Sequence, residues 1–317
     1  VQNTELRPLG AGEMLDRAIT LYVRWFVPIV IVLAVVAIPV TALQAIVAPH
    51  SAQAFTDMAR VFSSASDPAA SRAAAQALSR DNQTGPLTFL IIFIAAVARL
   101  LTWCALVSVV AAAYAGTRTT VAQAYRFALG RWLPQLVVSL AFLVLGMVAA
   151  VPIFVLYLIV FIGAIGLSAL HQTVAMVILL IVGGLLFLAL ACTVGPLVFM
   201  SYELASVAAI VETANPVEAI GIGLRRAFAP GMKRRTVVAG LVLMLVSQAG
   251  TLPLIAVAAV ASAATHVDAL YFAILGAGGV LLEGIVSTFV VVYAVDARIR
   301  REGYDILAAD TPAPVPA

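Results

Sequence analysis

Apolar residues run almost without interruption through six stretches of this chain: Val27–Val47, Leu87–Ala115, Leu133–Ile162, Val174–Tyr202, Thr236–Ser262 and Ala269–Val295. A bilayer core about 30 Å thick is crossed by roughly 20 helical residues, so each stretch is long enough to span it. The longer ones must tilt, kink or continue past the membrane surface. The runs are continuous rather than apolar at every second residue, which argues against the strands of a β-barrel. In lipid the backbone must satisfy itself, so an all-α bundle is expected.

Polar and apolar positions also alternate with helical spacing ahead of the first, third and fifth runs. Each of these segments opens with a capping signature: Gly10 three before Glu13, Thr120 three before Gln123, and Asn215 three before Glu218. A cap side chain can take an orphan amide while the acid or amide three residues on reaches back. Gly10 lacks that side chain, and Pro216 reinforces the third start. The stripes that follow are Met14, Ala18, Leu21 and Trp25; Val121, Tyr125, Ala128 and Trp132; and Val217, Ile220, Leu224 and Phe228. Arg beside such a stripe suits a helix lying in the headgroup region. Trp25 and Trp132, with Arg17, Arg24, Arg131, Arg225 and Arg226, are the expected interfacial anchors. The pattern predicts a polytopic six-helix membrane bundle built as a threefold repeat of one amphipathic interfacial helix plus one transmembrane hairpin.

Composition places the chain in lipid. Of its 317 residues 63% are hydrophobic and 10% charged, against about 25% charged in soluble domains. Residues 1–310 read as a single integral membrane domain. The Ala- and Ser-rich segment 48–86 reads as an extracytoplasmic loop, with a helix start at Asp67-Pro68 and a turn through 81–86. Residues 311–317 form a Pro/Ala tail expected to be disordered. The first apolar run begins about 26 residues in without a small-residue cleavage site, so no cleavable signal peptide is expected.

Charge then sets the orientation. Most of the 18 Lys and Arg lie before the first run, between the second and third, between the fourth and fifth, and after the sixth. The opposite side holds only Arg60, Arg72 and Arg80. The positive-inside rule therefore puts both termini in the cytoplasm, with the protein in the cytoplasmic (inner) membrane. An even number of spans agrees. The basic excess reflects orientation, and no basic domain points to nucleic acid.

Two ionisable side chains fall deep within spans, Arg99 in the second and Glu283 in the sixth. Both helices run from outside to inside, with Arg99 12 residues after Leu87 and Glu283 14 after Ala269, so their depths differ by only a few Å. An unpaired charge there costs about 2.5–3.5 kcal/mol, and an Arg99–Glu283 pair removes most of that cost. The pair reads first as a clamp between two helices and second as part of a solute or proton path. Glu203 and Glu212, at the end of the fourth span, are expected to meet Arg225 and Arg226. Cys104 and Cys192 lie in spans and behave as small hydrophobes. With His50, His171 and His266 scattered, no metal-ligand spacing and no cofactor motif occurs.

The run Leu6-Arg7-Pro8-Leu9-Gly10-Ala11-Gly12-Glu13-Met14-Leu15-Asp16-Arg17-Ala18, followed by Leu21-Tyr22 and Phe26, resembles the glycerophosphoryl diester phosphodiesterase membrane-domain family. So does the closing Asp296-Ala297-Arg298-Ile299-Arg300-Arg301-Glu302-Gly303-Tyr304-Asp305. The middle is similar more loosely, through Glu212, Pro216, Glu218-Ala219-Ile220 and Leu224-Arg225-Arg226. There the family has Ser after the Arg and Gly-x-Phe beyond it, where this chain has Ala227 and Gly231-Met232-Lys233. The resemblance implies a bacterial multi-helix membrane module without the phosphodiesterase domain, since no His-Arg-Gly-type opening or paired carboxylate set is present.

The sequence therefore favours a non-catalytic envelope protein, a scaffold or accessory partner whose interfacial helices form a cytoplasmic platform for membrane lipids or a membrane-protein partner. A small-solute or ion transporter using Arg99 and Glu283 is the alternative. A lipid-modifying enzyme is third, lacking a nucleophile, acid–base or metal cluster.

Overall fold

The computed structural model describes residues 9–47, 86–265 and 267–302, all helical apart from short connections. The expected loop 48–86, the tail and the end of the closing motif lie outside them, except for Pro86. The described residues form eight helices. These are α1 (Ala11–Arg24), α2 (Phe26–Val47), α3 (Pro86–Tyr114), α4 (Val121–Ala169), α5 (Thr173–Val207), α6 (Pro216–Ala227), α7 (Lys233–Thr265) and α8 (Asp268–Glu302). Six of them, α2, α3, α4, α5, α7 and α8, are long and apolar enough to cross a membrane. Six such helices are what a multi-pass membrane protein requires.

Capping chemistry starts the surface segments. Thr120 and Gln123 make a reciprocal box: the Thr120 amide donates to Gln123 Oε1 at 3.0 Å, and the Gln123 amide to Thr120 Oγ1 at 3.3 Å. At α1 only the return half exists, Gly10 N–H to Glu13 Oε2 at 2.7 Å. At α6 the Asn215 side chain accepts from Val217 N–H at 3.1 Å. Glu218 there bonds Thr213 Oγ1 at 2.7 Å, because Thr213 Oγ1 already takes the Asn215 amide at 3.2 Å.

Each segment buries the residues four and eight positions beyond its cap: Met14 and Ala18, Ala124 and Ala128, Ala219 and Gly223. Met14 and Ala18 of the first expected stripe and Ala128 of the second lie on this seam, whereas the third stripe falls beside it and its Val217 is 74% exposed. In lipid the driving force for burial is close packing rather than hydrophobicity, so small side chains mark the inner face and large apolar ones turn outward.

The segments join their spans differently. Gly231, at φ +77°, breaks α6 from α7 with a left-handed turn that a Cβ would strain. No such residue follows the second segment, and α4 runs unbroken for 49 residues through Pro134 and Pro152. At 1.5 Å per residue that is about 73 Å of helix, more than twice the hydrocarbon thickness. The second amphipathic segment is therefore the first turns of α4 rather than a separate helix. Between α1 and α2 the backbone bonds carry across Trp25, from its N–H to Leu21 O at 3.0 Å and from Ile29 N–H to its carbonyl at 3.2 Å.

The described residues fall into two compact units. One holds 9–17, 130–245 and 290–302; the other holds 18–47, 86–129, 246–265 and 267–289. In the first, Val138 and Phe142 of α4 pack with Ala205 of α5 and Ala219 of α6. A Cβ on Gly223 would sit 2.6 Å from Ala205 Cβ and 2.7 Å from Ser201 O, so only glycine lets α6 lie this close to α5. The end of α5 widens into a π turn, Ala208–Glu212, closed by Thr213 N–H to Ala208 O at 2.9 Å.

In the second unit α2 packs along α3. Tyr22 of α1 lies against Gly284 of α8 and donates to Leu281 O at 3.2 Å. Burial pushes its phenol above the ordinary value of 10, which keeps it a donor. Tyr125 donates to Val32 O at 2.7 Å, fixing the start of α4 to α2.

Candidate functional site

The densest polar arrangement belongs to the first unit, where residue 9 meets the last turns of α8. Asp296 is fully buried, and its Oδ1 accepts the Leu9 amide at 2.7 Å. Arg300, one turn on, donates Nε to Asp296 Oδ2 at 2.8 Å and Nη2 to the Leu9 carbonyl at 2.7 Å. Arg235 of α7 donates to the same carbonyl and stands 4.0 Å from Asp296 Oδ2. Both polar groups of one peptide residue are thus held by three charged side chains. A buried carboxylate is tolerable only with such partners, and charge-assisted bonds are the stronger kind.

A second buried pair lies at the junction of α5 and α6. Arg226 donates to both Glu212 oxygens, at 2.7 and 2.8 Å, in a fork-to-fork contact. The Arg226 side chain is 1% exposed and that of Glu212 15%. Arg226 belongs to the last turn of α6, where the helix dipole favours a cation. The π turn sets Glu212 at the very end of its helix, and π turns of this kind recur at functional positions. Neighbouring ties complete the arrangement: Thr236 Oγ1 and Tyr293 OH at 2.9 Å, Thr236 Oγ1 to Ala227 O at 3.3 Å, and Arg301 to the Arg225 carbonyl. Between α4 and α5, Gln135 Nε2 donates to Ser206 Oγ at 2.9 Å and Tyr202 OH at 3.3 Å.

The anchors named from the sequence take varied positions. Trp25, Trp132, Arg17 and Arg131 are half-buried, Arg24 and Arg225 are exposed, and Arg226 is buried. Arg131 donates to Ala209 O at 3.3 Å. Glu203 is buried on α5. Asp296, Arg300 and Leu9 were named only within the two end motifs, without a role, and Gln135 and the Thr236–Tyr293 pair were not singled out by the sequence reading. Local signals were Arg300 four residues after Asp296 and the isolated Gln135 and Ser139 within an apolar run.

In the second unit, Arg99 Nη2 of α3 lies 3.8 Å from Glu283 Oε2 of α8, with side-chain exposures of 77% and 28%. An apolar cleft of about 580 Å³ opens between α2 and α8. Cys104 is buried and Cys192 half-buried, both as free thiols. Among the described residues no group of three or more His, Cys, Asp or Glu side chains is placed to hold a metal ion.

Comparison with family models, with curated proteins and with solved structures gives no match for this chain.

Proposed function

We propose that this chain is a non-catalytic multi-pass membrane protein of the bacterial cell envelope, a scaffold or accessory partner with its termini and surface helices on the cytoplasmic face. The observation that carries the reading is how the buried charges are used. Asp296, Arg235 and Arg300 fix the Leu9 backbone, and Glu212 and Arg226 fix each other. These groups hold surface segments in place, which suits a rigid docking face. Around them Arg225, Lys233 and Arg234 remain exposed. Basic residues at a membrane surface attract anionic lipid by about 1 kcal/mol each, and they attract acidic protein surfaces by the same means. The asymmetric distribution of Lys and Arg supports the cytoplasmic orientation.

The common cap geometry supports a threefold repeat. Gly10, Thr120 and Asn215 each accept the first helical bond at 3.0 Å, from Met14, Ala124 and Ala219. The end motifs support membership in the glycerophosphoryl diester phosphodiesterase membrane-domain family as a module without its phosphodiesterase domain. Small-solute or ion transport is the second reading, favoured by the Arg99–Glu283 contact at 3.8 Å within two spans. A flux into reconstituted vesicles that is lost on Glu283→Gln would establish it.

The test of the scaffold reading compares wild type, purified from its own membrane in mild detergent, with the variant Arg225→Glu, Lys233→Glu, Arg234→Glu. A stoichiometric envelope protein or an enriched anionic lipid accompanies wild type and is lost from the variant. Identical co-purification from both, or none from wild type, contradicts the reading.

A further inference from the structure

Arg99 is in an environment that its chemistry does not tolerate alone. It sits on α3 about 20 Å of helical rise from either end, and its side chain is 77% exposed. Among the described residues its guanidinium has one charged neighbour, Glu283, at 3.8 Å, which is beyond hydrogen-bond length. A five-donor guanidinium is thus largely exposed in the middle of a helix long and apolar enough to cross a membrane. Hydrocarbon offers such a group no acceptor, and a charge there costs at least about 2.5–3.5 kcal/mol. The Glu283 carboxylate beside it is half-buried and still reachable, at 28% exposure.

An independent feature shares α8 with this pair. The cleft of about 580 Å³ is lined by α2, including Ala34, Thr41 and Ala45, and by α8, including Ala269, Ala273 and Leu281. It follows α8 for about 18 Å of helical rise, which makes it a trough rather than a compact pocket. Thr41 is the one hydroxyl in its lining, and that hydroxyl donates to Ala37 O of its own helix at 2.8 Å. The trough therefore offers a ligand apolar surface and no free donor. Glu283 follows Leu281 by two residues, at the end of the trough.

We propose that the trough and this pair together bind one membrane phospholipid carrying a primary-amine headgroup. Its acyl chain lies in the α2–α8 trough, its phosphate accepts from Arg99, and its ammonium donates to Glu283. An exposed cation beside a half-buried anion complements a zwitterion better than any singly charged head. The guanidinium fork matches phosphate oxygens. Only an amine that keeps its N–H groups can hydrogen-bond the carboxylate, so a quaternary ammonium head is disfavoured. The site uses residues of α2, α3 and α8 and none of the Asp296 or Arg226 groups, so its fate leaves the scaffold reading untouched.

Native mass spectrometry of the full chain released from nanodiscs tests this directly. The nanodiscs hold equal amounts of phosphatidylethanolamine, phosphatidylcholine and phosphatidylglycerol. Wild type retains the ethanolamine lipid over both others by roughly fivefold, the ratio that about 1 kcal/mol of added headgroup bonding gives. Ala273→Phe, which fills the trough and leaves both charges in place, brings retention to background, as does Arg99→Leu. Glu283→Gln erases the preference for the amine. Equal retention of the three lipids by wild type, preference for the glycerol head, or unchanged retention by Ala273→Phe overturns the proposal. Should Arg99→Leu fail to fold, the wild-type competition and Ala273→Phe decide it alone.

Discussion

The buried Asp296 carboxylate holds the backbone amide of Leu9 at 2.7 Å, across 287 residues of sequence. The beginning of the first amphipathic segment is thereby fixed to the last turns of the final helix. Arg300 and Arg235 secure the Leu9 carbonyl from the other side. No neighbouring water can replace this carboxylate, because Asp296 is 0% exposed.

Asp296→Ala should therefore destabilise the protein by about 3 kcal/mol, the usual cost of breaking a buried charged contact from one side. Arg300→Lys keeps the charge and loses the fork that reaches both Asp296 and Leu9, and should cost less. Equilibrium unfolding in detergent checks both, and a stable Asp296→Ala protein would remove the contact from the account.

The Arg226–Glu212 pair predicts a non-additive result. Arg226→Leu leaves the Glu212 carboxylate without its fork and should cost about 3 kcal/mol. Arg226→Leu with Glu212→Leu removes both charges and should recover most of that loss. A double-mutant cycle by chemical denaturation measures the coupling, and additive effects would contradict it.

Arg99 and Glu283 should follow the same ordering in a lipid setting. Either Arg99→Leu or Glu283→Leu alone should lower the melting temperature more than the two together, because each single change leaves a lone charge in the span. Yield and thermal stability in nanodiscs supply the measurement. Equal damage from the double change would show that the two groups are not coupled.

Two glycines give a contrast. Gly223→Ala forces a Cβ to 2.7 Å from the Ser201 carbonyl and the Ala205 amide, both backbone, so α6 must move off α5. Gly146→Ala meets nothing within 4 Å, and alanine favours a helix by about 1 kcal/mol over glycine. The first substitution should destabilise and the second should not; thermal unfolding of the pair tests whether α6 is packed by close approach.

The six long helices could be read from the sequence because a continuous apolar run has one solution in lipid. The caps could also be read, since Thr120–Gln123 and Gly10–Glu13 interact over three residues. The packing seam was legible in the first two segments, through Met14, Ala18 and Ala128, and hidden in the third. In a membrane Val217 can face outward at no cost, so its hydrophobicity said nothing about the interior, while Ala219 and Gly223 mark it by being small. The polar ties were hidden for another reason. Gln135 finds Ser206 across 71 residues, and Asp296 finds Leu9 across 287. No local spacing encodes such partners. The Glu212–Arg226 pairing, by contrast, was legible, and what the sequence did not show is that the π turn after α5 leaves Arg226 buried rather than at the interface.

Site-directed labelling tests the central proposal most directly, that the chain crosses the membrane six times with its surface helices in the cytoplasm. With Cys104 and Cys192 replaced by Ala, single cysteines go in at Gly12→Cys, Ala122→Cys, Glu218→Cys and Gln172→Cys. In intact cells an impermeant maleimide should modify only Gln172→Cys, between α4 and α5, and reach the other three after permeabilisation. Labelling of any of those three from outside the intact cell would contradict the account.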